Sequence, residues 1–477
     1  MDLSAEVARA LRWSAGGRLI VQILNWAMTL VVIRLLVPED YGLLAMAVVF
    51  VNFLFLLNEM GLRTAIVRLE DPSTALLRDL FGAVLLFNLV LFLITLAGAP
   101  FVAGFFQEPR LTPMVQVLSI NFLVSGLGLV PDALLIRAMD FRSKALVDVV
   151  ANLVGGVLTL GLALSGYGVW SLIWSNVVTL TIRMIGYGIA SPFRHWPRFR
   201  FDGVGESMRF GGAVVVQRLL WWIYSSFDTL LVGRRLGTVV LGSYSVAMHL
   251  ATLPQQKLSQ IVNQVTFPAF ARIKHDRKQV ADRLSKASYV MSFFTFPFFF
   301  GVSAIAPGIV ILVLGPTWEA VILPLQLITL AIPLRMLTAP IYEVLNAMDH
   351  PGRNLSNMVI GVILLPLSLF VGSFWGLPGV ALSWLFSSPL WVCIGTIRAA
   401  PITGLTLGRL VHTVAVPFQA ALVMHVAVIV VPMVLPTGID AMLSLAIQIV
   451  VGMVTYGAHL FLLDRPGCDR VFRFLRS

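Results

Sequence analysis

WSAGGRLIVQILNWAMTLVVIRLL, residues 13–36, is separated by only VPED (37–40) from YGLLAMAVVFVNFLFLLNEM, residues 41–60. Each run supplies the roughly 20 mostly apolar residues that a helix needs to cross a bilayer. The first is too long for the apolar region of a cleaved signal peptide, so it reads as an uncleaved first span despite Arg9 and Arg12 before it. Twelve more such stretches follow, at about 80–106, 113–135, 145–165, 168–190, 209–233, 239–265, 287–314, 320–345, 355–374, 377–397, 410–432 and 440–463. None shows the period-two alternation of a membrane β-barrel. The expected fold is an all-α integral membrane protein with 14 transmembrane helices.

Composition leads to the same class. Of 477 residues, 58% are apolar and 12% charged, against roughly 45–50% and 25% in soluble chains. So few charges cannot cover a water-facing surface. A cytosolic enzyme, a secreted disulfide scaffold and a disordered chain are thereby excluded. The net charge of +11 is spread through the spacers between apolar runs, which argues for topology signals and against nucleic acid as a partner. Cys393 and Cys468 read as ordinary thiols.

With the N-terminus inside, the inner spacers carry 25 of the 34 Lys and Arg, and the outer ones carry four: Arg34, Arg110, Arg234 and Arg235. The remaining five lie within spans. This asymmetry, kept in strict alternation, places both termini in the cytoplasm. Every spacer is short. The longest, near 191–208 and 272–286, have room for a surface helix held to anionic lipid but not for a catalytic domain.

Three anchors recur in order. Gly16-Gly17, Gln22 and Trp26 reappear as Gly211-Gly212, Gln217 and Trp221; Pro131 and Ala138-Met139-Asp140 as Pro340 and Ala347-Met348-Asp349; Gly166 and Gly168-Val169 as Gly376 and Gly379-Val380. Two parallel six-helix lobes are expected from this, 1–200 and 201–400, with helices 13–14 and a cytoplasmic tail at 401–477. Parallel repeats about an axis along the membrane normal suit a transporter that rocks around a central cleft.

Polar side chains inside spans are costly and are functional candidates by default. Arg18, Gln22, Asn25 and Thr29 share one face of the first helix. The seventh carries Arg218 and Asp228; the eighth carries a stripe of Ser245, His249, Thr252, Gln256, Ser259 and Asn263, with Lys257 beside it. Arg218 lies about 13 Å inside its helix at 1.5 Å per residue. Arg335 and Arg183 add charge on the tenth and sixth spans. A cationic cleft selects an anion, and Arg suits phosphate. Arg18, Arg218, Lys257 and Arg335 are therefore the candidate headgroup ligands, and Gln22, Asn25, His249 and Gln256 the polar lining. Each residue has a plainer reading too. Arg18 is close enough to the inner end to snorkel, Arg218 and Asp228 each suit an interhelical pair, Glu59 sits near a span boundary, and His249 suits a packed position. Motifs for metal, nucleotide or nucleophilic catalysis are absent from the sequence, so no catalytic residue, metal site or enzyme activity is expected.

Arg34 to Gly42 (RLLVPEDYG) with Leu43–Ala47, Pro131 to Arg142 (PDALLIRAMDFR) and Leu253 to Arg272 (LPQQKLSQIVNQVTFPAFAR) resemble signatures of Wzx-type bacterial polysaccharide flippases. These belong to the multidrug/oligosaccharidyl-lipid/polysaccharide exporter superfamily. The resemblance spans the chain and is nearest to the exporters of colanic-acid-like, succinoglycan-like or lipopolysaccharide units. It implies a substrate: an undecaprenyl-pyrophosphate-linked oligosaccharide, flipped from the inner to the outer leaflet of the bacterial inner membrane by alternating access. It also implies membrane lipid, a polysaccharide polymerase and export machinery as partners. No cofactor is implied, but proton or sodium antiport is, for which Asp228 and Glu59 are the ion-coupling candidates. The family offers no universal site motif to transfer. Three other readings stand beside this one: a multidrug cation antiporter, which a basic cleft disfavours; a lipid II flippase; and a non-transporting scaffold of a polysaccharide-synthesis complex.

Overall fold

The computed structural model describes residues 26–58, 66–67, 73–199, 212–273, 275–436 and 438–467. Regular structure among them is entirely helical. The helices are α1 (Trp26–Leu35), α2 (Pro38–Asn58), α3 (Thr74–Phe106), α4 (Leu111–Arg137), α5 (Phe141–Leu164), α6 (Val169–Ala190) and α7 (Gly212–Ala271). They continue as α8 (Arg277–Ile309), α9 (Ile322–Met336), α10 (Thr338–Ala347), α11 (Pro351–Gly372), α12 (Gly376–Thr403), α13 (Leu407–Val434) and α14 (Ala441–Leu463). Eleven helical stretches among the described residues are long and apolar enough to cross a membrane. Two of the eleven contain a backbone break, at Gly237 (φ 84°, ψ −179°) within Leu219–Gln256 and at Gly376 (φ 66°, ψ −151°) within Pro351–Thr403. Large apolar side chains face outward in number, among them Val157, Ile189, Phe386 and Val454, each at least 65% exposed. Only a lipid environment accommodates such a surface; the chain is a multi-pass membrane protein.

The chain divides into two compact units: Met1–Trp222 with Gly237–Gly242, and Ile223–Leu236 with Ser243–Ser477. In the first, the short run PEDYG does several jobs. Pro38 opens α2, where a missing N–H costs nothing. Asp40 accepts from its own Val37 N–H (3.2 Å) and from Val169 N–H (2.9 Å), capping the start of α6, where Gly168 has no side chain to do so. Glu39 takes Arg110 at 2.6 Å, and Arg110 also holds Glu108 at 2.8 Å. That hydrogen bond keeps the Glu108 carboxyl below the ordinary glutamate range. A Cβ on Gly42 would lie 1.9 Å from the Thr238 carbonyl oxygen, and one on Gly242 1.6 Å from that of Pro38. The two turns thus meet backbone to backbone, which only glycine permits.

The repeated anchors differ in register from their letters. Met139 and Asp349 both adopt positive φ (53° and 62°), an offset of 210 residues, whereas the two Ala-Met-Asp triplets are 209 apart. In the first unit Asp140 then caps α5 through Ser143 N–H at 3.0 Å. In the second, His350 occupies that place without a side-chain cap, and Pro351 starts α11. Gly166 and Gly376, matched in the sequence, both adopt positive φ (80° and 66°) at the same offset of 210, whereas Gly379 lacks the positive φ that Gly168 has before α6. A helix turn is fixed by backbone conformation, so it conserves φ rather than letters.

The second unit is held by aromatic packing. Phe296, Phe300 and Phe418 of α8 and α13 meet edge to face at 5.5–5.9 Å. Tyr456 of α14 donates to the Phe293 carbonyl at 2.8 Å, which ties α14 to α8.

Candidate functional site

A polar seam runs through the first unit. On α5, Asp148, Asn152, Gly155 and Thr159 recur at spacings of four, three and four; on α6, Ser175, Thr179, Arg183 and Tyr187 recur every four. Both sets make a single helix face. A Cβ at Gly155 would lie 1.9 Å from Thr179 Oγ1, so the glycine lets α5 and α6 cross closely. Three cavities follow one another along the seam, of about 390, 480 and 380 Å³. The first and second share Asn152, Leu180 and Arg183; the second and third share Asn152, Leu172, Ser175 and Thr179. From Tyr187 to Ser175 the seam spans about 18 Å along α6, at 1.5 Å per residue.

Charge is gathered at one end. Lys144 of α5 pairs with Asp132 of α4 and lies 3.3 Å from the Tyr187 hydroxyl. Tyr187 donates to Asp148 Oδ1 at 2.6 Å. Arg183 faces that same carboxylate at 3.3 Å through Nε and donates from Nη2 to Asn152 Oδ1 at 2.9 Å. All four line the first cavity, but Asp132 and Lys144 are 3% and 25% exposed, against 36% and 35% for Asp148 and Arg183. Towards the other end the groups are neutral: Asn121 bonds Asn176 at 2.8 Å, and the Thr159 and Ser175 hydroxyls converge on the Gly155 carbonyl at 2.9 and 2.6 Å. The seam is a hydroxyl- and amide-lined surface with charge at one end, suited to sugar hydroxyls beside an oxyanion.

The second unit holds a different cluster. Asp228 is 3% exposed; its Oδ2 accepts from the Tyr244 hydroxyl at 2.7 Å and its Oδ1 from Thr229 N–H at 2.7 Å. Trp384 Nε1 donates to the same Tyr244 oxygen at 2.7 Å. Arg335 stacks over the Trp384 ring at 4.4 Å and over Tyr224 at 5.8 Å.

The structure thus brings Asp228 and Arg335 into one network. His249 and Gln256 are exposed on α7. Arg218 and Lys257 lie on the α7 backbone, but their side chains are outside the described residues, as are Arg18, Gln22, Asn25 and Glu59 altogether. Sequence reasoning counted Lys144 among spacer charges and gave Asp132 and Asp148 no role. The signal was present: Asp148 and Asn152 are four apart on α5, and Arg183 and Tyr187 four apart on α6.

Residues 31–323 match the family described as "Polysaccharide biosynthesis protein". The chain is 25% identical over 433 residues to the lipopolysaccharide biosynthesis protein WzxC of Escherichia coli K12, covering 88% of this chain and 87% of the relative. It is also 25% identical over 430 residues to the teichuronic acid biosynthesis protein TuaB of Bacillus subtilis 168, with the same coverage. A solved structure of the lipid II flippase MurJ, in an inward closed conformation, superposes with a TM-score of 0.74 at 15% identity, covering 94% of this chain and 98% of that one. At that identity the likeness is one of fold. A helical membrane protein with a polar seam, matched to this family over well more than half its length, belongs to the polysaccharide biosynthesis proteins, the Wzx-type flippases, and not to an enzyme family.

Proposed function

We propose that this protein flips an undecaprenyl-pyrophosphate-linked oligosaccharide repeat unit from the inner to the outer leaflet of the cytoplasmic membrane. The observation that carries the reading is the seam of the first unit: neutral hydroxyl and amide groups along its length, and Lys144 and Arg183 at its charged end. The relatives support it, being named for the biosynthesis of lipopolysaccharide and of teichuronic acid. Fourteen crossings fit the breaks at Gly237 and Gly376 together with the apolar helix at Trp26–Leu35. The Lys and Arg asymmetry orients both termini to the cytoplasm. Alternating access between two lobes carries the headgroup while the lipid tail stays in the bilayer. A polymerase and export machinery receive the product, and an ion gradient supplies the drive.

Mass spectrometry of polyprenyl-linked sugars in a deletion strain tests this. The expected result is an intact repeat unit accumulating on undecaprenyl pyrophosphate, with the surface polymer missing. Normal intermediates and normal polymer in a strain without a second flippase would overturn it.

A further inference from the structure

Four asparagines reach one place in the first unit from four different helices. Asn52 of α2, Asn121 of α4, Asn152 of α5 and Asn176 of α6 all line the second cavity, of about 480 Å³. An amide inside a span is costly unless it is hydrogen-bonded, so four together need a reason. Bonding between helices supplies only part of one. Asn121 Nδ2 donates to Asn176 Oδ1 at 2.8 Å, but the return bond of a closed amide pair is not made: Asn121 Oδ1 is buried and without a partner. Asn152 Oδ1 accepts from Arg183 Nη2 at 2.9 Å, which leaves its Nδ2 donors to offer. A buried carbonyl oxygen with no donor is unfavourable, and a ligand hydroxyl relieves it.

The rest of the lining narrows the ligand. Among the described residues around this cavity there is no carboxylate and no lysine, and Arg183, shared with the first cavity, is the single charge. A pyrophosphate therefore meets too little positive charge here, and an organic cation meets no counter-charge. Beside the amides, Val48, Val51 and Phe55 make an apolar strip on one face of α2, with the Phe55 ring stacked on Phe122 at 4.6 Å. Apolar surface next to a few fixed donors and acceptors suits a pyranose, whose C–H faces are apolar and whose rim carries hydroxyls.

We infer that the four-asparagine cavity is a sugar-recognition site, which reads a pyranose of the lipid-borne oligosaccharide through its hydroxyls and does not read the pyrophosphate. The inference rests on the flippase reading and deepens it by naming the residues that set cargo specificity. One sugar hydroxyl closes the open amide pair, accepting from Asn176 Nδ2 and donating to Asn121 Oδ1. A neighbouring hydroxyl accepts from Asn152 Nδ2. Asn121 is fixed by Asn176 and Asn152 by Arg183, so donor and acceptor positions are set before the sugar arrives. A sugar whose hydroxyl is missing or points the other way leaves Asn121 Oδ1 unpaired. That penalty is the source of selectivity.

The test uses the full-length protein in lipid nanodiscs and three probes. These are the lipid-linked repeat unit purified from the deletion strain, undecaprenyl pyrophosphate without sugar, and the oligosaccharide released from the first by mild acid. Wild type is expected to bind the sugar-bearing lipid about tenfold or more tighter than the bare one. Asn121→Leu and Asn176→Leu each abolish that preference and keep the affinity for the bare lipid. The double variant loses little more than either single one, because the two amides share one hydroxyl. Asn176 is exposed, so Asn176→Leu reports on the site even where Asn121→Leu fails to fold. The free oligosaccharide binds more weakly, with the same dependence on both amides. A preference that survives both substitutions, or equal weakening for the bare and the sugar-bearing lipid, would overturn the inference and leave the asparagines as helix packing. Free oligosaccharide binding as tightly as the lipid-linked form would overturn the assignment to a lipid-borne sugar. In each of these outcomes the accumulated repeat unit leaves the flippase reading standing; a deletion strain that accumulates none removes both.

Discussion

Asp148 in the first unit and Asp228 in the second are both intramembrane carboxylates beside an arginine and a tyrosine, yet their surroundings set them apart. Asp228 is buried and saturated by Tyr244 and Thr229, and its network ends in Arg335 stacked on Trp384. Asp148 receives one firm hydrogen bond from Tyr187 and faces Arg183 across a cavity. A carboxylate whose lone pairs are filled from within the protein has become part of the packing. One that faces a cation at 3.3 Å beside a cavity stays within reach of a solute. Residue type is the same; saturation and access differ.

Substitutions make that difference measurable. The largest effect is expected from Arg183→Gln, which should cut polymer export at least tenfold while shifting the melting temperature of the purified protein by no more than a degree or two. A large loss of stability in this variant would move Arg183 into the class of Asp228. Next, Tyr244→Phe leaves Asp228 Oδ2 buried without its donor and should destabilise the fold by about 1–3 kcal/mol, with export per folded molecule retained. Thermal unfolding in detergent, alongside export normalised to folded protein, reads both. Arg335→Lys removes the flat stack on Trp384 and is expected to cost about 1 kcal/mol; an unchanged melting temperature would show the stack to be incidental. The smallest effect belongs to the exposed Arg110 bridge to Glu39 and Glu108, worth about 0.5 kcal/mol. Arg110 depresses the Glu108 pKa, so its contribution is present above the unfolded glutamate range and lost as pH falls through the lowered value. Arg110→Gln should therefore differ from wild type at neutral pH and converge with it in acid.

The spans were legible in the sequence because lipid imposes a length and polarity on each crossing helix that no tertiary context overrides. The motif at Pro38–Gly42 was legible as a resemblance, but its purpose came from the structure: Asp40 reaches 129 residues along the chain to cap α6. Within the repeat, Gly166 and Gly376 match in both letter and φ, while the positive φ of Met139 falls on Asp349, one residue beyond the matching letter. Arg335 and Asp228 were flagged as isolated charges on separate helices, and only packing joins them through Tyr244 and Trp384. Lys144 was read as a boundary charge, because its distance from the end of an apolar run says nothing of Asp132 beside it on another helix.

By itself, then, the sequence determined that this is a multi-pass helical membrane protein and which of its residues defy the bilayer: both follow from transfer free energies, which act residue by residue. Tertiary structure decided which of those residues meet. Asp148 and Arg183 are 35 residues apart in the chain and 3.3 Å apart in space, and whether such a pair is sealed like Asp228 or open like Asp148 depends on neighbours from other helices that no local pattern encodes.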